Sequence, residues 1–593
     1  MAEKKYSDLF MEWLHEAGYT HCFYVPGGNS MHLLESASSR FKCVPFLHEA
    51  SACIATDYFN EISSKNSKAF LLVTAGPGLT NAMTGIVGAW VESRELLIIG
   101  GQAKSTDLSK GKSRQVGFQE IDGVALCKSV SKKSVRGDRQ ISKKELFDLV
   151  NLTKAPRKGP VFIEMCIDIS FQNRDEIIDS SINFHPYNPR KSKLIKKSSR
   201  EIVKLLQSSE RPLFLLGGGV DRETNLDSLF NLELPIATTF NGSDRASNDY
   251  IYYCGRPNWY GSRWANLIIQ QSDLIIALGT RLGINQTGYN VQEFAPKAKV
   301  IQVEIDKKEK KKKYPKIYKF YNQDCNHLLN QISLDLPPEL IENFKNWKEF
   351  INTIKKDLIN PETENRASTL DSSQFIFDLM NITDGNEIIV PCSSGIAAYE
   401  SAMRVILNKG NQKMITSHGL ASMGYGLPGG IGAAIANPNR KTIVFEGDGG
   451  FAQNMQELGT ALTNKLNLKI FLFDNNGYHS IKLNQKSSFN GHYIGCDNET
   501  GIELPNWEKF CESFGIQHMQ VNSSNVFGSE FNKLFNSTEL AFFTVSIHPD
   551  QTYWPRIISR RVSDNEVVSD PLHKMYPPMS HQSESIYMKY LKK

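Results

Sequence analysis

The segment Ile443-Val444-Phe445-Glu446-Gly447-Asp448-Gly449-Gly450-Phe451, together with the chain from there to Tyr478, constrains this protein more than any other feature. A short apolar run ends in Gly-Asp-Gly. Met455, Leu458 and Leu462 then recur at the spacing of one helix face, and a second apolar run ends in Asp474-Asn475-Asn476-Gly477-Tyr478. Two such strands joined through a helix pair in parallel with a right-handed crossover, which returns both strand ends to one edge of the sheet. Asp448 and Asn475 should therefore meet at the edge where open α/β sheets bind ligands.

The same alternation of short apolar runs and helical patterns extends along the whole chain, so the expected class is α/β, with doubly wound parallel sheets. At roughly 100 to 200 residues per domain, 593 residues make about three or four units. Residues 1–175 carry strands near 21–25, 68–73, 96–99 and 160–165. A polar linker over 173–199 leads into a second block, 195–340, whose first strand runs into Gly217-Gly218-Gly219 and which includes strands at 274–278 and 300–305. A polar connector, 337–370, precedes a third block, 365–555, bounded by strands near 388–391 and 542–547. The remaining 556–593 read as a tail too polar to form a domain.

Charge excludes some function classes. With 68 Lys and Arg against 63 Asp and Glu, the excess is too dilute for a nucleic-acid surface, and the basic run 307–313 reads as a solvated face after a strand. The N-terminus is charged where a signal peptide needs an apolar stretch, and no run of about 18 apolar residues occurs. A soluble, cytoplasmic protein with no membrane or nucleic-acid partner is expected. The 10 cysteines include no C-x-x-C pair, so neither a zinc site nor a disulfide framework is indicated.

Oxygen ligands on two neighbouring loops suit a hard divalent ion that also holds phosphate oxygens. Glycines around Asp448 let backbone approach a diphosphate at a helix N-terminus. Gly-Asp-Gly followed at this interval by Asn-Asn resembles the cofactor motif of the thiamine-diphosphate enzymes. The resemblance implies magnesium ligands at Asp448, Asn475 and the carbonyl of Gly477, with Gly447, Gly449 and Gly450 lining the diphosphate. It also implies three domains of the pyrimidine-binding, central and diphosphate-binding types.

That family needs a carboxylic acid from another domain to protonate the cofactor's aminopyrimidine. Phe46-Leu47-His48-Glu49-Ala50, a strand end entering a helix, supplies Glu49. Tyr24-Val25-Pro26-Gly27-Gly28 and Thr74-Ala75-Gly76-Pro77-Gly78-Leu79-Thr80-Asn81 resemble the pyrimidine loops of acetolactate synthase large subunits and their relatives, which implies cofactor contacts from Gly27, Gly28, Pro77 and Asn81. In the segment 417–428, Met423 matches the apolar wedge that bends the cofactor, and Ala421 the carbonyl that receives its amino group. Gly117-Phe118-Gln119-Glu120 resembles the stretch whose Phe and Gln face substrate. In the family, the Glu and the magnesium site serving one cofactor come from different subunits, which implies a homodimer or homotetramer.

The expected function is thus a thiamine-diphosphate- and Mg2+-dependent carboligase. It would decarboxylate a 2-ketoacid, pyruvate or a close relative, and pass the two-carbon unit to an acceptor. Gln485 stands about where acetolactate synthases carry a Trp that contacts the second ketoacid. With the added stretch 489–504 and the tail arginines Arg556, Arg560 and Arg561, this keeps acetyl transfer to a ketosugar nucleotide open. Simple decarboxylation also stays open. A silent regulatory homologue should lack Glu49 or Asp448, and both are present. Gly217-Gly218-Gly219, Thr238-Thr239, Gly279-Thr280-Arg281 and Asp306 are of the kind that hold FAD in flavin-containing members, and leave that cofactor open as well.

Overall fold

The computed structural model of the chain describes residues 5–64, 67–173, 182–189, 191–363, 369–563 and 566–591. The linker read over 173–199 lies partly outside these. The first domain holds β1 (His21–Tyr24), β2 (Lys42–Pro45), β3 (Ala69–Val73), β4 (Leu96–Gln102), β5 (Lys133–Gly137) and β6 (Pro160–Cys166) in the order β2-β1-β3-β4-β6-β5. The central domain holds β7 (Pro212–Leu216), β8 (Ile236–Thr238), β9 (Leu274–Leu278), β10 (Lys299–Val303) and β11 (Lys319–Tyr321) in the order β11-β10-β9-β7-β8. The third holds β12 (Ile388–Pro391), β13 (Lys413–Met414), β14 (Thr442–Gly447), β15 (Leu468–Asp474), β16 (Gln517–Val521) and β17 (Ala541–Ser546) in the order β13-β12-β14-β15-β17-β16. Every pairing in these three sheets is parallel. Strands such as β3, β4 and β6 are buried at every residue, because helices cover both faces and leave no solvent side for polar residues.

The helix expected after Asp448 is broken. It runs Asp448–Phe451, gives way to a 3-10 turn at Met455–Glu457, and resumes at Leu458–Thr463. The interruption turns Asn454 and Glu457 toward the first domain. There Ser51 Oγ donates to Asn454 Oδ1 at 2.9 Å, and the backbone N–H groups of Leu47 and His48 donate to Glu457 at 3.2 and 3.1 Å.

The first and third domains share one apolar core. Its seam is the helix Glu49–Ile62 against Gly426–Ala436. A Cβ at Gly432 would stand 2.1 Å from the Ala55 carbonyl oxygen, so this crossing admits only glycine there.

The central domain is tied on by charge. Arg222 meets Glu61 of the first domain at 2.9 Å and Asp244 at 2.7 Å, and Arg157 reaches Asp306 and Glu309 at 3.1 and 3.0 Å. Burial raises the Glu61 pKa, but Lys158, Arg222, Arg94 and Arg245 outweigh it and bring the group from 4.5 to about 2. A depressed carboxylate contributes stability that is present above its ordinary pKa and lost as pH falls toward the depressed one, here from 4.5 to about 2. Arg222→Ala should leave Glu61 and Asp244 to share Arg245, the nearest remaining guanidinium, and cost up to about 3 kcal/mol, read as a lowered denaturation midpoint. An unchanged midpoint would show that the pairing contributes nothing.

The segment 556–593 differs from the expected polar tail. It forms a hairpin, β18 (Ser559–Ser563) and β19 (Glu566–Ser569), then a helix His581–Tyr587, and docks on the central domain. Arg263 donates to the carbonyls of Met575 and Pro577 at 3.2 and 2.8 Å, Gln271 donates to that of Tyr587 at 2.8 Å, and Leu572 and Met588 enter the central core. A few apolar anchors spread along polar sequence carry no periodic signal, which is why composition alone reads the segment only as a tail too polar to form a domain. Among the described residues no helix is long and apolar enough to cross a membrane, and none of the ten cysteines is disulfide-bonded.

Candidate functional site

In the third domain β14 and β15 deliver their ends side by side, with Gly447 opposite Phe473. Asp448 comes immediately after and is only 2% exposed. Its Oδ1 accepts the Gly449 N–H at 2.7 Å, and its Oδ2 accepts those of Gly477 and Asn475 at 2.9 and 3.2 Å. Burial, reinforced by the Asp474 carboxylate, pushes Asp448 up to about 7, and only these backbone bonds pull the other way. No cationic side chain among the described residues offsets its charge. A buried carboxylate in that condition is a seat for a cation.

The turn that carries Asn475 is sterically fixed. Gly477 has φ +128°, and a Cβ there would meet the Cys496 carbonyl oxygen at 2.2 Å. At Gly447, by contrast, a Cβ would find nothing within 4 Å, so that backbone faces open space. Among the described residues no group of three or more His, Cys, Asp or Glu could hold a metal. The donors present are one carboxylate, one amide oxygen and a backbone carbonyl. This set fits magnesium, which takes few protein ligands and completes its shell with water and phosphate oxygens.

The segment 417–426 lies against the end of β14 and the stretch that follows Asp448. Ala421 is exposed with φ +53°, and Met423 is 38% exposed, an apolar side chain standing in solvent beside a polar cradle. The Gly424 carbonyl accepts from Asn454 Nδ2 at 2.6 Å, and Ser393 Oγ donates to the Ser422 carbonyl. Glu446, buried and pushed up to about 7 by that burial, accepts the N–H groups of Gly426 and Leu427 at 3.0 and 2.9 Å. It locks the start of the next helix to the end of β14. Motif and periodicity do not single out Glu446, although its place directly before Gly447 is an available signal. Nor do they single out His418, whose ring nitrogens meet Tyr399 at 2.6 Å and Asn285 at 3.0 Å.

The second group of residues gathers at the edge of the first sheet. Glu49 opens its helix at 8% exposure, and its Oε2 accepts from Asn81 Nδ2 at 3.0 Å. Gly27 is held so close to Thr74 that a Cβ would lie 2.3 Å from it, and the Asn29 N–H donates to Thr74 Oγ1 at 3.3 Å. Asn29 Nδ2 also reaches the Phe118 carbonyl and Gln119 Oε1, both at 3.4 Å. Gln119 adopts φ +59° against Gly76, Phe118 is 82% exposed, Pro77 is exposed, and Gly28 faces open space. The structure thus brings Gly27, Gly28, Glu49, Pro77, Asn81, Phe118 and Gln119 to one rim. Among the described residues no hydrogen bond joins that rim to Gly447–Gly450 or Asn475–Gly477.

The central glycines have a local explanation. A Cβ on Gly217 would stand 2.3 Å from the Gly279 carbonyl oxygen, and the Gly219 N–H donates to that oxygen at 3.0 Å. Thr239 Oγ1 accepts the Gly242 N–H at 3.2 Å, and Asp306 is engaged by Arg157. The close approach of Gly217 to Gly279, the Thr239 cap and the Arg157–Asp306 pair therefore have local structural roles.

Comparison with known proteins agrees with this geometry. The profile of the thiamine pyrophosphate enzyme, N-terminal TPP binding domain, matches residues 4–126; that of the central domain matches 199–332; and that of the C-terminal TPP binding domain matches 395–545. The acetolactate synthase large subunit of Pyropia yezoensis is 28% identical over 541 residues, covering 88% of each chain. That of Lactococcus lactis is 27% identical over 573 residues, covering 95% of this chain and 96% of its own. The chloroplastic acetolactate synthase 1 of Nicotiana tabacum is 27% identical over 559 residues, covering 90% of this chain and 80% of its own.

Proposed function

Since the chain belongs to the thiamine pyrophosphate enzymes and is acetolactate synthase-like, we propose that it is a Mg2+-dependent carboligase that takes pyruvate or a close 2-ketoacid and passes its two-carbon unit to an acceptor. The observation that carries this reading is the buried Asp448 carboxylate without a cationic partner, held at the turn that presents Asn475 and Gly477. Asp448, Asn475 and the Gly477 carbonyl would hold magnesium, and Gly447, Gly449 and Gly450 would leave room for a diphosphate. When bound, thiamine diphosphate supplies the electron sink for loss of carbon dioxide from the ketoacid. Glu49, oriented by Asn81, would hold and return a proton at the aminopyrimidine. Ala421 offers a carbonyl to that ring, Met423 an apolar support, and Phe118 and Gln119 a face to substrate.

The two rims lack a connecting hydrogen bond among the described residues, and Phe118 projects into solvent. Both facts support a site completed by the first domain of a second copy, hence an active homodimer or a tetramer built from one.

Two arguments for a nucleotide-sugar acceptor weaken. The Gln485 side chain pairs both ways with the Ile494 backbone, at 3.0 and 2.9 Å, and so closes the added loop on itself. Arg560 pairs with Asp570, and Arg561 Nε donates to the Ser563 carbonyl at 3.2 Å. A 2-ketoacid acceptor is therefore the preferred reading. Supplying labelled pyruvate with and without a second ketoacid, and identifying products by mass spectrometry, should give a labelled acetohydroxy acid and carbon dioxide. Release of free aldehyde alone would favour simple decarboxylation, and no carbon dioxide from any 2-ketoacid would refute the proposal. Flavin absorbance of the purified protein would show that the central domain also holds FAD, and a colourless protein would show that it does not.

A further inference from the structure

The chain leaves β17 directly beside the metal turn, since Ser546 pairs with Asp474 and the Ile547 N–H donates to the Asp474 carbonyl at 3.0 Å. It then doubles back across the sheet edge as a strap. The Gln551 carbonyl lies 3.2 Å from His479 Nε2, the Gln551 side chain meets Ser372, and Arg404 donates to the Trp554 carbonyl at 3.1 Å. Between these anchors sits Tyr553, 4% exposed, its ring edge-on to His479 with centroids 5.5 Å apart. Its hydroxyl is buried, has no hydrogen-bond partner of good geometry among the described residues, and faces the Asn475 side chain. An unsatisfied buried hydroxyl beside a metal-ligand amide calls for a reason.

The reason lies in the asymmetry of a carboxamide. A hard cation takes the amide oxygen, and the NH2 group must then point away from the cation toward an acceptor. If no acceptor stands there, the amide is free to turn and present nitrogen to the metal. We propose that Tyr553 is a positioning residue for Asn475: its phenol oxygen accepts from Asn475 Nδ2 and so keeps Oδ1 turned to the cation. This rests on the assignment of Asp448, Asn475 and the Gly477 carbonyl as the magnesium ligands. Residues that orient metal ligands in this way act on metal affinity rather than on the chemical step.

The test is calorimetric. The full-length protein is stripped with a chelator and titrated with MgCl2 at a fixed saturating concentration of thiamine diphosphate. Tyr553→Phe removes a single oxygen and keeps the buried ring and its contact with His479, so the fold and its unfolding midpoint should persist. Mg2+ binding should weaken about 10- to 100-fold, and turnover should recover at high Mg2+. Asn475→Asp supplies a second measurement. A carboxylate has no wrong end to present, so in that background Tyr553→Phe should have no further effect on Mg2+ affinity. Wild-type Mg2+ affinity in Tyr553→Phe, or an equal loss in both backgrounds, would overturn the role of Tyr553. Asp448→Asn separates this from the parent assignment. If it leaves the Mg2+ titration unchanged, the metal site itself is misassigned. If it abolishes binding while Tyr553→Phe does nothing, only the positioning role fails.

Discussion

Glu49→Gln is expected to bind thiamine diphosphate and Mg2+ much as the wild type does, yet to lose about 10²- to 10⁴-fold in turnover, the usual range for removing a positioned acid–base group. The structure gives the reason for so specific a loss. Glu49 sits at a helix start with one carboxylate oxygen already fixed by Asn81 at 3.0 Å, and Gly78 leaves its other oxygen uncrowded, a Cβ there lying 3.6 Å away. Gln retains the shape and the bond to Asn81 but carries no exchangeable acid proton. Exchange of the cofactor's thiazolium proton, followed by NMR, should slow along with turnover. Wild-type exchange in Glu49→Gln would remove Glu49 from the reaction whatever happens to activity.

Asp448→Asn should abolish the other half of the site. A neutral amide lacks the charge a magnesium ion needs, and its NH2 end would face backbone N–H donors now satisfied by carboxylate oxygens, those of Gly449, Asn475 and Gly477. Mg2+ affinity should fall by more than about 100-fold, beyond what altering a merely supporting residue costs, and thiamine diphosphate binding should fall with it. The two variants therefore separate two functions: Glu49→Gln binds without turning over, and Asp448→Asn does not bind. If the site is shared between subunits, mixing the two inactive variants should restore activity in the heterodimers that pair an intact Glu49 rim with an intact Asp448 rim. Failure of that mixture to recover activity, with subunit exchange verified, would place both halves of the site in one chain.

The strands legible in the sequence are the central ones. β1, β3, β4, β6, β7, β9, β10, β12, β14, β15 and β17 each present an apolar run, because both faces of their sheets are covered. The strands without such a signal are β5, β8, β11, β13 and β16, with β2 visible only as the strand end before Glu49, and all six are sheet edges. Sequences such as Lys133-Ser134-Val135-Arg136-Gly137 and Gln517-His518-Met519-Gln520-Val521 have part of their surface in solvent, and their burial alternates or fails accordingly. The helix after Asp448 departs from its apolar spacing for a related reason. That spacing continues across Asn454, but the backbone breaks there to reach Gly424 and Ser51.

The sequence by itself determined the α/β class and the three domains, and it singled out the residues proposed for the cofactor site, since Gly-Asp-Gly, Asn-Asn-Gly and Glu49 report on local chain geometry that short stretches encode. Only the tertiary structure decided what those residues face. It showed that Asp448 is buried without a cationic partner, that Gly217 and Gly279 are consumed by each other, and that Gln485 serves its own loop. It also showed that the polar C-terminal segment docks on the central domain, and that the strap preceding it buries Tyr553 beside the Asn475 side chain. Those outcomes depend on which distant segments meet, and no periodicity or motif along a single stretch of chain records that.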